Sequence, residues 1–496
     1  MAAMPKAKRL AIPRAKTFAI IAGPAVAYSL ASLLDIPAQE RAPAMIGVAA
    51  WMAIWWISEC VPISFTALLP LVCFPFLGIA TGREVSPYYI NSIIFLFVGG
   101  FLIAQAMERT GLHKRLALGL LARLHASPLQ LAAGFAVATA FLSMWISNTA
   151  TTMLMVTIAI PLLSRLAEEH GEEAIAPMSV AFLLVIAYSA NIGGMGTPVG
   201  TAPNLVFLEA VRINAPEMAP SFLQWMMVGV PMVIAGLVVL FLVLGPRLAR
   251  LPWKASDAGE LEAARRELGP MRKSEKIVGW VLGLTAVAWM TRKGIATDSF
   301  EIPGWAALLP YPGVDDGTVA MLGASMLFLL RGESGQAALN GEAVLRLPWD
   351  ILLLLGGGFA LAFGMQHAGA SIWLGEQLGF LSTVPLVLMM LGVALAMTFL
   401  TEITSNTAIT QVMLPILAAA AIANELDLLL ILLPAALSAS CAFMLPVATP
   451  PNAIVFGTHQ LPMRAMIRTG IRLNLIMAVV VVSAVYLLRP LLPDVS

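Results

Sequence analysis

Apolar residues recur along the whole chain in stretches of ~20 residues, the length that carries a helix across a bilayer core. Clear spans lie at 17–34, 43–58, 64–79, 92–108, 177–210, 222–245, 276–292, 318–330, 350–366, 428–457 and 472–490. Two further apolar stretches, 129–165 and 381–424, are each broken in the middle by polar residues. If those two enter and leave the membrane on one side, the chain is an all-α polytopic membrane protein. It then has about 11 transmembrane helices plus two re-entrant hairpins.

Charge placement tests that count, because cytoplasmic loops collect Lys and Arg. Lys6, Lys8, Arg9, Arg14 and Lys16 put the N-terminus in the cytoplasm. Four crossings later come Arg109, Lys114, Arg115 and Arg123. Six crossings bring Arg247, Arg250, Lys254, Arg265, Arg266, Arg272 and Lys273, and ten bring Arg464, Arg468 and Arg472. The mildly acidic end, Pro493 to Ser496, then falls outside. Arg83, Arg292 and Lys293 land on the wrong side, but the larger clusters agree. Were the broken stretches full spans, the 247–273 and 464–472 clusters would face opposite sides. The stretch 109–127 mixes basic residues with leucines at helical spacing, as an amphipathic helix in the cytoplasmic interface does. Ser371 to Leu381, with Trp373 and Glu376, is a weaker candidate for the same role on the opposite face.

Composition agrees: 59% of residues are hydrophobic, 11% are charged and the mean hydropathy is +0.87. A soluble chain carries roughly a quarter charged residues. The net charge of +1 gives no argument for a nucleic-acid partner, and none is expected. Cys60, Cys73 and Cys441 read as packed thiols, and the five histidines form no HExxH-like pair, so an enzyme is not expected. The basic, then apolar, N-terminus reads as a retained first helix, because it runs directly into further spans.

The two halves resemble each other. Phe97-Val98-Gly99-Gly100-Phe101 answers to Leu355-Gly356-Gly357-Gly358-Phe359 at an offset of 258, and Thr110-Gly111 to Ala368-Gly369 at the same offset. Ser147-Asn148-Thr149-Ala150 recurs as Ser405-Asn406-Thr407-Ala408, again at 258. Val199-Gly200-Thr201-Ala202-Pro203-Asn204 recurs as Val447-Ala448-Thr449-Pro450-Pro451-Asn452, at 248. Five crossings separate the two starts, an odd number, so the copies are inverted in the membrane. Inverted repeats with broken helices are an architecture of secondary transporters, with the site near the midplane. The chain divides accordingly into N-terminal scaffold helices (1–91) and a first repeat (92–221) with hairpin 129–165 and unwound span 177–210. Connecting scaffold (222–349) with cytoplasmic loop 246–275 follows. A second repeat (350–460) with hairpin 381–424 and unwound span 428–457 precedes a final span (461–496).

Ser, Asn, Thr and Pro clusters are costly at membrane depth unless something satisfies them. The prolines should leave 198–203 and 446–451 non-helical, offering carbonyls to a hard cation and amides to an anion. Each tip has a second hydroxyl one turn earlier, Ser143 before Ser147 and Thr401 before Ser405, on the same helix face. Two equivalent sites, each with a tip and an unwound span, imply two cation sites flanking one substrate. No Lys or Arg lies in either tip or unwound stretch, so co-bound cations must neutralise a bound anion. Glu402 is either a partner behind a cation site or a hairpin-end charge facing water.

With these motifs in hand, the chain resembles the divalent anion/sodium symporter family. The resemblance rests on the paired Ser-Asn-Thr tips, on Gly200-Thr201-Ala202-Pro203-Asn204 and on Ala448-Thr449-Pro450-Pro451-Asn452. It implies one sodium at Ser143, Ser147, Asn148 and Gly200, and a second at Thr401, Thr404, Asn406 and Ala448. It implies substrate contacts at Asn148, Thr149, Thr201, Ala202, Asn406, Thr407, Thr449 and Pro450. Ala202 departs from Pro450, and Ile146 stands where the second repeat has Thr404, so the two cation sites need not be equal. The resemblance further implies an elevator-type homodimer of the plasma membrane, in a bacterium the inner membrane, importing C4-dicarboxylates (succinate, malate, fumarate) with two or more Na⁺. Tricarboxylate or sulfate symport, or dicarboxylate exchange, stay open within the class. An intramembrane enzyme would need a nucleophile–base pair or converging metal ligands at depth.

Overall fold

The computed structural model describes residues 14–122, 127–248, 259–297, 300–311 and 313–493. Lys6, Lys8, Arg9, Arg123, Arg250 and Lys254 lie outside the described residues, as does the end 494–496. Among the described residues the fold is helical apart from one antiparallel ribbon, Ile295–Thr297 against Phe300–Ile302.

Among the described residues, eight helices are long and apolar enough to cross a bilayer. Six fall on expected spans: Ala15–Leu33, Gly82–Thr110, Glu172–Gly194, Phe222–Pro246, Trp349–His367 and Met463–Leu491. The other two, Asn148–His170 and Asn406–Ala423, are the second arms of the two broken stretches. The first arms are Pro128–Ser143, 16 residues, and Leu386–Leu400, 15 residues. At 1.5 Å per residue they reach about 24 Å, short of a ~30 Å core. A hairpin that turns at depth has this form.

The remaining expected spans are built from shorter or interrupted helices. Stretch 64–79 is two pieces, Ile63–Thr66 and Leu69–Phe76, because Pro70 opens the second. The carbonyl of Ala67 at the break takes the Tyr89 hydroxyl at 2.5 Å. Lys273–Arg292 carries Lys273, Glu275, Lys276 and Arg292 at its ends, and Asp316–Leu329 has 14 residues. The amphipathic stretch is the helix Leu112–Leu121, docked through Arg115, which bonds the carbonyls of Leu268 and Gly269 and pairs with Glu275 at 3.2 Å. Its weaker counterpart is Ala370–Gln377.

Both unwound spans break, and one proline of each run, Pro198 or Pro446, stands in the gap. The first gap is 195–201, between Glu172–Gly194 and Ala202–Asn214. The second is 439–449, between Leu428–Ser438 and Pro450–Phe456. Pro203, Pro450 and Pro451 occupy the first turns of the half-helices that follow. A proline there loses no bond, since its N–H would have had no intrahelical partner. The expected non-helical runs 198–203 and 446–451 hold through 201 and 449 and are corrected at 202–203 and 450–451, which are helical.

Glycines set how closely the opening helix of each repeat packs. A side-chain carbon on Gly99 would lie 2.6 Å from Ala320, and one on Gly357 would lie 2.6 Å from Ala67. These helices therefore meet backbone to backbone. Most buried side chains form one continuous core; a second, smaller one joins Ala42–Ser58 and residues 67–89 to Leu354, Ala360, Leu361 and Met365.

Candidate functional site

Each hairpin turns where a serine caps the arm that follows. Ser147, in extended backbone, accepts from the amide of Ala150 at 3.2 Å; Ser405 stands alike before Ala408. A serine at this position satisfies one of the free amides of a helix start. The first residues of the new helices are therefore Asn148-Thr149 and Asn406-Thr407, the repeated motif itself. The half-helices begin at Ala202 and Pro450, one residue after Thr201 and Thr449.

Residues from all four of these helix starts line one cavity of ≈ 410 Å³. Its wall holds Asn148, Thr149, Thr201, Ala202, Asn406, Thr407, Thr449 and Pro450, every residue expected to touch substrate. Ser147, Gly200, Thr404 and Ala448 line it as well. Ser143 and Thr401 do not. They are fully buried behind the tips, where each hydroxyl faces the side-chain oxygen of the tip asparagine and a helix carbonyl.

Behind the first tip, Ser143 Oγ lies 2.5 Å from Asn148 Oδ1 and 2.9 Å from the Ala190 carbonyl. Behind the second, Thr401 Oγ1 bonds Asn406 Oδ1 and lies 3.0 Å from the Ala439 carbonyl. One hydroxyl proton cannot satisfy two acceptors at once, so each group is an oxygen-rich knot, the donor set of a hard cation. Gly194 and Gly200 complete the first. A side-chain carbon on Gly194 would lie 2.8 Å from Asn148 Oδ1 and 3.3 Å from the Gly200 carbonyl. Only glycine leaves that carbonyl beside the tip amide. Thr404 differs from expectation in one respect: its hydroxyl back-bonds to the Leu400 carbonyl at 2.7 Å, as threonines in apolar helices commonly do.

The asparagines that end the repeated motif hold the breaks in shape. Asn204 Nδ2 donates to the carbonyls of Gly194 (2.9 Å) and Thr197 (2.8 Å). Asn452 Nδ2 donates to those of Ala442 and Leu445, both at 3.0 Å. Each pairing is the other moved by 248 residues.

Two polar residues of the site were not singled out as ligands in the sequence. Glu402 is 3% exposed and faces neither water nor the cavity. Its carboxylate accepts from the backbone amides of Phe443, Met444 and Leu445 at 2.7, 2.8 and 2.9 Å, and from Asn474 Nδ2 at 2.7 Å. Asn191 lies in the apolar helix before the first break, lines the cavity and reaches across to the second repeat. A lone amide in an apolar run was its signal. The opening helices add an apolar wall, Phe97, Phe101 and Leu354. Among the described residues, the charged side chains on the lining are Glu59 and Asp350, and no Lys or Arg lines it.

With this geometry in view, the comparisons with known proteins are direct. Residues 17–492 match the family described as the sodium:sulfate symporter transmembrane region. A sodium-dependent dicarboxylate transporter, SdcS, of Staphylococcus saprophyticus is 39% identical over 482 residues, 95% of this chain and 91% of the relative. Its counterpart in Staphylococcus aureus is 38% identical over 456 residues, 90% of this chain and 86% of the relative. Among solved structures, the Alcanivorax borkumensis YdaH transporter superposes with a TM-score of 0.53 at 14% identity, covering 97% of this chain and 100% of that one. Neisseria gonorrhoeae MtrF superposes with the same TM-score at 12% identity, covering 92% and 96%. At those identities the structures speak for the fold alone. The paired tips, the two broken helices and a family match over nearly the whole length converge: the chain is a polytopic membrane transporter of the sodium:sulfate symporter family, the divalent anion/sodium symporters.

Proposed function

We propose that this protein is a sodium-coupled secondary transporter importing C4-dicarboxylates such as succinate, malate and fumarate. The observation that carries the reading is the cavity between the two repeats. Four helix starts, which attract negative charge, meet there with hydroxyls and amides and no cationic side chain. A dianion in such a place is costly unless positive charge comes with it. The oxygen knots at Ser143, Ser147, Asn148 and Gly200, and at Thr401, Thr404, Asn406 and Ala448, are where two sodium ions supply that charge. Asn148, Thr149, Thr201, Ala202, Asn406, Thr407, Thr449 and Pro450 then meet the carboxylates. The SdcS relatives, sodium-dependent dicarboxylate transporters, support the same substrate class.

The working form is a homodimer in the plasma membrane, N-terminus inside and C-terminus outside, whose hairpins and broken spans move against a fixed scaffold in an elevator motion. Cation binding precedes anion binding, and by linkage each raises the affinity for the other. Uptake of labelled succinate into proteoliposomes, with sodium or choline outside and no counter-substrate inside, tests the reading. A sodium gradient drives accumulation; equal uptake in choline refutes sodium coupling. Calorimetry showing tight succinate binding without sodium, unchanged on adding it, refutes the charge balance.

A further inference from the structure

The hydroxyl of Thr449 is held from two sides. Asn191 Nδ2, from the first repeat, donates to Thr449 Oγ1 at 3.1 Å. The amide of Asn452 donates to the same oxygen at 3.3 Å. A hydroxyl oxygen has two lone pairs and one proton. With both lone pairs engaged, the proton of Thr449 has one free direction left, and Thr449 lines the cavity.

The orientation of the Asn191 amide is fixed by a neighbour that only accepts. Its Nδ2 lies 3.3 Å from the Ala442 carbonyl, so a flipped amide would set oxygen against oxygen. Nδ2 has two hydrogens, which these two contacts use; Asn452 Oδ1 stands farther off, at 3.5 Å. Pro450 and Pro451 follow Thr449 at the start of the half-helix and have no N–H. The next backbone amide along the chain, that of Asn452, is already spent on Thr449. At this end of the cavity the hydroxyl is the side-chain donor that Thr449 offers to an anion.

The first repeat lacks the device. Thr201 stands where Thr449 does, and its side chain makes no capping bond. Ser440 stands nearest to Asn191 in the second repeat, one residue after Ala439 as Asn191 follows Ala190. Its hydroxyl is buried and, among the described residues, without a hydrogen-bond partner. It is too short to reach as the asparagine does.

We infer that Asn191 is a positioning residue for the transported anion: it sets the Thr449 hydroxyl as a fixed donor to one substrate carboxylate. The inference rests on the dicarboxylate reading. Its role is to orient, so the effect falls on substrate affinity and not on the cation sites.

The test uses the full chain in proteoliposomes, with succinate as the probe. Asn191→Ala raises the succinate KM about tenfold, the order expected for one buried donor lost. The maximal rate and the half-saturating sodium concentration at saturating succinate stay within about twofold of wild type, as linkage through substrate alone requires. Asn191→Ala with Thr449→Ala is no worse than Thr449→Ala alone. That non-additivity marks two groups acting as one. The Ala442 carbonyl keeps the Asn452 amide at 3.0 Å, so the fold has a reason to survive the change. Should Asn191→Ala fail to reach the membrane, Asn191→Ser runs the same cycle. An unchanged KM in an active protein, or fully additive losses, overturns the inference alone. A wild-type chain that takes up no succinate under a sodium gradient overturns the dicarboxylate reading and the inference with it.

Discussion

The two tips carry the same three residues and are held to their breaks by opposite means. At the first, the Thr197 hydroxyl on the break donates to the Met144 carbonyl on the tip at 2.5 Å. At the second, the direction reverses: Glu402 on the tip accepts from three successive amides of the break. Met144 and Glu402 stand at the same offset of 258 that relates the tips. The reason lies in the breaks. The first, 195–201, is short and closes on itself, with the amides of Met195 and Gly196 bonding the carbonyls of Ile192 and Gly193. The second, 439–449, starts earlier relative to the motif and leaves three amides in a row with no turn to join. A buried amide left unpaired is costly, and a carboxylate is the strongest acceptor that can answer several at once. Duplication thus preserved the Ser-Asn-Thr tips, while the bond that ties each tip to its break diverged.

Substitutions can break this comparison or sharpen it. Asn148→Ala and Asn406→Ala each abolish sodium-driven uptake, because each amide belongs to both an oxygen knot and the cavity wall. Retained transport by either variant would mean that the two tips are not equal partners. Glu402→Ala lowers the stability of the purified protein by at least about 3 kcal/mol, since three amides and Asn474 lose one acceptor together. Met144→Ala at the matching place costs less, about 1–2 kcal/mol, because its backbone carbonyl stays. Thermal unfolding in detergent ranks the two, and a reversed order sinks the account of the breaks. Thr149→Ala and Thr407→Ala weaken succinate binding by about 1–3 kcal/mol each, the worth of one buried hydrogen bond unmade. Calorimetry at saturating sodium reads this directly. The smallest effect belongs to Thr197→Val, about 1 kcal/mol of stability with transport kept, the cost of one neutral bond.

Much of this was legible in the chain. The hairpins and their tips came from polar triplets in apolar surroundings, and every residue named for substrate contact lies on one cavity wall. Prolines were read as marking the gaps. Pro198 and Pro446 do stand in the gaps, whereas Pro203, Pro450 and Pro451 mark the first turns after them, because a proline is harmless where a helix starts. The support by Glu402 was not legible, since nothing local says that three amides some 40 residues on lack partners. Asn191 was legible by the rule applied to the tips but stood alone, outside any repeated motif. The split of 64–79 at Pro70 could have been read; its apolar composition outweighed the proline.

The glycine contacts of the opening helices bear on how the molecule divides mechanically. Gly99 is pressed to Ala320 and Gly357 to Ala67, so each of these helices is welded to chain outside its own repeat. The boundary of resemblance in sequence and the boundary of stiffness in space are therefore different lines. In the elevator motion proposed above, the sliding unit begins after the opening helix, at the hairpin. Gly100 and Gly358 face the other way, toward Val199 and Gln411 of the hairpin-and-break body. Gln411 seats over Gly358 and its Nε2 donates to the Leu354 carbonyl at 3.2 Å, a hydrogen-bonded latch that any such motion has to release.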